Sequence, residues 1–136
     1  MKTANDIRTY RDLIVWRKSV ALVTSVYRAT KDFPSHELYG LTSQMRRCAV
    51  SVPSNIAEGY GRRATGDYLR FLQIGIGSVY ELQTQLEISK NFGYLAESDS
   101  TRLLEDLAEI ERMLASLTSK LRSPQRRPAA TPPAVP

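Results

Sequence analysis

Residues 38–59 read LYGLTSQMRRCAVSVPSNIAEG, and the spacing of their apolar side chains decides the fold. Leu38, Leu41, Met45, Cys48, Val52 and Ile56 recur at steps of three and four, which places them on one face of an α-helix. The alternation of period two that a half-buried strand requires runs for no useful length here or elsewhere in the chain. Phe33-Pro34 bounds the segment on one side, because the residue before a proline avoids the α region, and Ser35 supplies a cap. Gly59 bounds it on the other, where a left-handed glycine commonly ends a helix.

The same period extends outward. A first helix is predicted over 10–31, opening at a capping box Thr9-x-x-Asp12 and turning Leu13, Trp16, Val20, Val23 and Tyr27 inward. The second covers 35–59. After the short basic loop Tyr60-Gly61-Arg62-Arg63-Ala64, Thr65 caps a third helix over 66–91, with Tyr68, Leu72, Val79, Leu82 and Leu86 inward. Phe92-Gly93-Tyr94-Leu95 forms the next turn. A fourth helix over 97–122 directs Leu103, Leu107, Ile110, Leu114, Leu117 and Leu121 to the core. Four helices of similar length joined by short connections predict an all-α, antiparallel up-down-up-down four-helix bundle over residues 10–122. Residues 1–9 are left as an N-terminal arm. From Ser123 the chain reads SPQRRPAATPPAVP and holds five of its seven prolines, so 123–136 is expected to be a disordered Pro-rich tail.

Composition excludes several classes of function. At 136 residues and 42% apolar, the chain has room for one core. No apolar run approaches the roughly 20 residues of a membrane span, and the opening Met1-Lys2-Thr3-Ala4-Asn5-Asp6 lacks a signal-peptide core, so a cytoplasmic protein away from membranes is expected. A single cysteine, Cys48, and a single histidine, His36, cannot form an internal disulfide or a zinc site of the usual kind. No metal, no cofactor and no enzymatic activity is expected. Gly59-x-Gly61-x-x-Ala64 has the letters of a dinucleotide fingerprint, but a helix precedes it and no strand does.

Three features go beyond a plain bundle. Pro53 inside the second helix costs about 3 kcal/mol, and Gly75 and Gly77 inside the third cost about 1 kcal/mol each relative to alanine; close helix approach is expected to offset them. A polar row of Gln44, Ser51, Asn55 and Glu58 lies beside the apolar stripe, with Ser78, Glu81 and Gln85 at matching steps on the third helix. It reads either as an interhelical hydrogen-bond network or as an exposed row in which Glu58 pairs with Arg62 at i,i+4. The first helix also carries Ile14, Val15, Ala21, Leu22 and Val26 beside its main stripe, and the third carries Leu69, Phe71, Ile74 and Ile76. Surplus apolar surface of this kind implies a homo-oligomer.

Charge is uneven. Residues 1–72 hold twelve Lys/Arg against six Asp/Glu, whereas 73–122 hold five against eight. The basic part invites a polyanion. Candidate contacts are Arg46, Arg47, Arg62 and Arg63, together with Arg17 and Lys18, acting on backbone phosphates through bidentate guanidinium hydrogen bonds. Arg46 and Arg47 equally suit bridges between subunits.

Motif blocks carry a further indication. Tyr10-x-Asp12-Leu13-x-Val15-Trp16, Tyr39-Gly40-Leu41, Gln44-x-Arg46-Arg47 and Ser54-Asn55-Ile56-Ala57-Glu58-Gly59-x-Gly61-Arg62 resemble the proteins encoded in intervening sequences of bacterial 23S rRNA genes. Arg70-Phe71-Leu72, Gly77-Ser78, Glu81-Leu82-x-Thr84-Gln85-Leu86 and Gly93-Tyr94-Leu95 continue the likeness through about residue 122. The resemblance implies a bacterial cytoplasmic bundle that assembles as a homopentameric ring and has no established catalytic residues. It also implies a shape similar to the accessory variability determinant protein of diversity-generating retroelements, which binds nucleic acid and a reverse transcriptase. Ala96 departs from the family's helix-capping Ser or Thr and is expected to shift the cap to Ser98. The expected function is therefore a non-enzymatic nucleic-acid-binding scaffold. The alternative is a protein-interaction adaptor that organises a partner such as a polymerase or reverse transcriptase.

Overall fold

The structure, a computed structural model, describes residues 6–123; the expectations for residues 1–5 of the arm and for the Pro-rich segment 124–136 lie outside the described residues. Among those described, the chain forms four α-helices and no strand: α1 (Ile14–Thr30), α2 (Leu41–Tyr60), α3 (Thr65–Asn91) and α4 (Glu97–Arg122). The helices begin and end where local chemistry dictates, and several starts differ from the sequence-based expectation. The Thr9 hydroxyl accepts the Arg11 N–H at 3.1 Å and Asp12 accepts the Thr9 N–H at 3.2 Å, yet this box caps only the 3-10 turn Tyr10–Asp12. Leu13 is extended, so α1 starts at Ile14. Ser35–Glu37 is likewise a 3-10 turn, and Leu38 stays exposed ahead of α2. The N–H of Leu41, at the start of α2, is taken by Glu37 Oε1 at 3.1 Å.

α3 and α4 start after Ala64 and Ala96 with no side-chain cap, so neither Thr65 nor Ser98 takes that role. Asp67, Glu97 and Asp99 in the first turns place negative charge against the exposed N–H groups instead. Gly59 does not end α2 in a left-handed turn: it is buried within the helix, which continues to Tyr60, and Gly93 (φ 75°) is the described glycine with positive φ.

α2 packs most extensively on α3, while α1 contacts α2 and α4, and α3 contacts α4. The four helices therefore close a cycle around one core, the architecture of a four-helix bundle. Met45, Ile56, Leu72, Leu82, Leu86, Leu103, Leu107 and Leu114 are fully buried there. The inward faces of α2, α3 and α4 follow the apolar stripes. α1 does not: its buried residues are Val15, Ser19, Leu22, Val26 and Thr30, whereas Val20 and Tyr27 are 39% and 44% exposed. Two hydroxyls disguise the inward stripe in a hydropathy reading. Ser19 Oγ donates to the Val15 carbonyl at 2.7 Å and Thr30 Oγ1 to the Val26 carbonyl at 2.8 Å, so both polar groups are satisfied inside the core. Of the glycines expected at a close helix approach, Gly75 has only ordinary contact distances around a Cβ position, and Gly77 has nothing within 4 Å.

Candidate nucleic-acid interface

The close approach lies at Gly59. A Cβ there would sit 2.9 Å from Phe71 Cβ and 3.2 Å from the Tyr68 carbonyl oxygen, so only glycine lets the start of α3 seat against the end of α2. That seating places the Phe71 ring beside the α2–α3 turn. Arg62 leaves the turn with its guanidinium carbon 4.8 Å from the Phe71 centroid and Nη2 2.9 Å from Glu58 Oε2. Arg70 reaches the same ring at 5.7 Å and lies 3.6 Å from Asp67 Oδ1. Arg63 is exposed and has no partner among the described residues. Tyr60 and Tyr68 meet edge to face at 6.1 Å beneath the turn, and burial, followed by the proximity of Tyr60, pushes the Tyr68 phenol up to about 12. The turn and the start of α3 thus present three guanidinium groups, two of them steadied by a carboxylate and a shared aromatic ring.

The other basic candidates are placed elsewhere. Arg46 Nε donates to Thr30 Oγ1 at 2.9 Å, its Nη2 lies 3.4 Å from the Tyr27 carbonyl, and its guanidinium rests 4.6 Å over the Tyr27 ring. It ties α2 to the end of α1 within one chain, where a cation also complements the helix dipole. Arg47 is exposed, and among the described residues it reaches only Ser43, at 3.4 Å. Lys18 pairs with Glu109 of α4 at 3.2 Å, and Arg17 leans on the Asp12 carbonyl at 3.4 Å. The structure brings Arg62 and Arg63 together and adds Arg70 with Phe71, a grouping the sequence reading missed. Arg70 and Phe71 follow Asp67 by about one turn, but nothing in the helical period shows that they face Arg62 across a helix junction.

The polar row divides into two parts. Ser51 and Ser78 join hydroxyl to hydroxyl at 2.8 Å, and Asn55 Nδ2 donates to the Ser51 carbonyl and hydroxyl at 2.8 and 2.9 Å. Cys48 donates to the Ser78 carbonyl at 3.0 Å. These residues form an α2–α3 network beside Gly75. Glu58 instead turns outward to Arg62, and Gln44 and Glu81 are exposed. Gln85 is buried, and its Oε1 has no hydrogen-bond partner among the described residues.

His36 lies at the surface with Nε2 3.4 Å from Tyr94 Oη, whose hydroxyl donates to Glu37 Oε2 at 3.0 Å. Among the described residues no group of three or more His, Cys, Asp and Glu side chains is placed to hold a metal ion. No described helix is long and apolar enough to cross a membrane.

A family model described as 23S rRNA-intervening sequence protein matches residues 11–116. Among solved structures, the chain is similar to a protein of unknown function from the S23 ribosomal protein family of Bacteroides thetaiotaomicron VPI-5482, with a TM-score of 0.73 and 20% identity over 78% of this chain and 96% of that one. At this identity the likeness shows the fold. No curated protein matches the chain.

Proposed function

The chain belongs to the 23S rRNA-intervening sequence protein family, and from that premise we propose that it is a non-enzymatic, homo-oligomeric scaffold that binds nucleic acid in the bacterial cytoplasm. The observation that carries the reading is Arg63: it is exposed, has no counter-charge among the described residues, and lies in the α2–α3 turn next to Glu58-paired Arg62, with Asp67-paired Arg70 on the first turns of α3. Guanidinium groups so placed donate to phosphate oxygens without reading base edges.

Assembly concentrates these turns. α1 leaves Ile14 and Tyr27 exposed, and α3 leaves Ile74 47% and Tyr80 51% exposed, with open space at Gly77. α1 and α3 lie across the bundle from each other, so one neighbour cannot cover both faces. Head-to-tail contact between the two faces generates a ring if the rotation closes; the family resemblance favours five members. Within each subunit, Gly59 meets Phe71, Asn55 meets Gly75, Ser51 meets Ser78 and Met45 meets Ser89. Positions rise along α2 as they fall along α3, which supports antiparallel neighbours and an up-down-up-down order.

Light scattering with and without RNA and DNA, at two salt concentrations, tests the reading. The expected mass is a multiple of 15.3 kDa that increases with nucleic acid. If about five phosphates are neutralised per complex on duplex DNA, log affinity falls against log salt with a slope near −4.5. A stable single-chain particle, or affinity that ignores salt, overturns it.

A further inference from the structure

We infer that the α2–α3 turn takes single-stranded nucleic acid in preference to duplex, using Arg62, held over Phe71, as a platform for an unpaired base. The inference rests on the phosphate-binding reading above and narrows its ligand. Two observations carry it. First, the electrostatics of the turn are poorly suited to a dense duplex backbone: Glu58 and Asp67 counter two of its three guanidinium charges, leaving an excess of one. Second, the same contacts hold a planar group at the surface. Phe71 lies against Arg62 at 4.8 Å while Glu58 holds an Nη edge at 2.9 Å, and the Arg62 side chain remains 44% exposed.

A guanidinium held over a phenyl ring and bonded to a carboxylate is preorganised, so little rotamer freedom is lost when a second planar group stacks on it. Its faces are weakly hydrated compared with an ammonium group. Unpaired bases stack on arginine planes and aromatic rings in this way, whereas bases within a duplex already have both faces covered. Arg63, one residue away and uncommitted, is placed to take a flanking phosphate. Gly59 sets the platform, because the Phe71 ring reaches this position only where α2 carries no Cβ.

The test is fluorescence anisotropy on the full chain with a labelled 20-nucleotide oligo-U, a 20-nucleotide oligo-dT and a 20-base-pair DNA duplex. The wild-type chain is expected to bind the single strands at least tenfold more tightly than the duplex. Arg62→Lys keeps the charge and loses the planar group, so it is expected to weaken single-strand binding about tenfold and duplex binding by no more than about threefold. Arg102→Lys, on α4 beside Asp99 and outside the proposed site, is expected to stay within about twofold on every probe. Circular dichroism confirms that each variant remains helical. Equal affinity for single strand and duplex, or an Arg62→Lys chain that binds single strands like the wild type, overturns the inference and leaves the phosphate reading standing. Failure to bind any of the three probes overturns both.

Discussion

Gly59 and Phe71 face each other so closely that a Cβ on the glycine would lie 2.9 Å from the Cβ of the phenylalanine. The nearby Tyr68 carbonyl, 3.2 Å from the same point, is backbone and cannot swing aside. Gly59→Ala gains about 1 kcal/mol of helix propensity, but the added methyl group forces α2 and α3 apart. The expected net result is destabilisation by about 1–3 kcal/mol, read as a lower urea midpoint at unchanged slope. A midpoint at or above that of the original chain would show that α3 re-seats without cost.

Gly77 is the opposite case. Nothing lies within 4 Å of its Cβ position, and its neighbours along the exposed face include Ile74 and Tyr80. Gly77→Leu therefore leaves the subunit helical and at least as resistant to urea under dissociating conditions. In the proposed ring the same side chain obstructs the next subunit, and the mass from light scattering is expected to fall to that of one chain. An intact assembly would place the interface elsewhere.

Arg46 separates architecture from binding. Truncating it to alanine removes the hydrogen bond to Thr30 Oγ1 and the contact with the Tyr27 ring. Together these are expected to cost about 1–2 kcal/mol of stability. Arg46→Lys restores only part of this loss, because an ammonium group cannot lie flat on the ring while bonding the hydroxyl. Oligonucleotide affinity is expected to be unchanged in both variants. Arg63→Ala is expected to reverse the pattern, with stability kept and affinity reduced.

The contrast between α4 and α1 shows which parts of the fold are legible from sequence. In α4, Leu103, Leu107, Ile110 and Leu114 are both the apolar stripe and the buried face. α1 has two apolar stripes, and the choice between them rests on Ser19 and Thr30, whose hydroxyls bond to the preceding turn and so become acceptable in the core. Hydropathy scores those residues as polar and points to the wrong side. The Arg62–Arg63 pair of the candidate site is adjacent in sequence and easily read. Arg70 and Phe71 join it only through the depth at which α3 seats on Gly59, a tertiary distance with no periodic signature. Arg46 illustrates the same difficulty in reverse: its charge is visible, but its partner lies sixteen residues away on another helix.

Glu37 joins the two loops at one end of the bundle. Its Oε1 takes the Leu41 N–H at 3.1 Å and its Oε2 the Tyr94 hydroxyl at 3.0 Å. The backbone bond from Leu41, then the bond from Tyr94, lowers its pKa below the usual carboxylate value. A depressed folded pKa means the stabilising contribution is present above the unfolded value and is lost as the pH falls through the folded one. Glu37→Gln is accordingly expected to lower the thermal midpoint at pH 7, with the gap from the original chain closing as the pH falls well below 4.5. A gap independent of pH would show that the hydrogen bonds do not need the charge.

Cys48 carries the corresponding alkaline prediction. Burial, and secondarily the charge of Glu81, pushes its thiol up to about 12, whereas an unfolded thiol ionises at about 8.5. The folded state therefore holds its proton across a range in which the unfolded state releases it. Stability is full below the unfolded pKa and declines as the pH rises towards about 12. Tyr68, also pushed up to about 12 by burial, adds to the decline in the upper part of the same window. Cys48→Ala is expected to make the urea midpoint fall less steeply between pH 9 and 12, while costing some stability at pH 7 through the lost contact with the Ser78 carbonyl. The native thiol is also expected to resist a disulfide reagent at pH 8 for far longer than the urea-unfolded chain. Its thiolate fraction there is negligible, and attack must await opening of the α2–α3 seam. Rapid labelling of the folded chain would mean that the seam opens readily around Cys48, and the predicted alkaline decline would then have to be traced to Tyr68 alone.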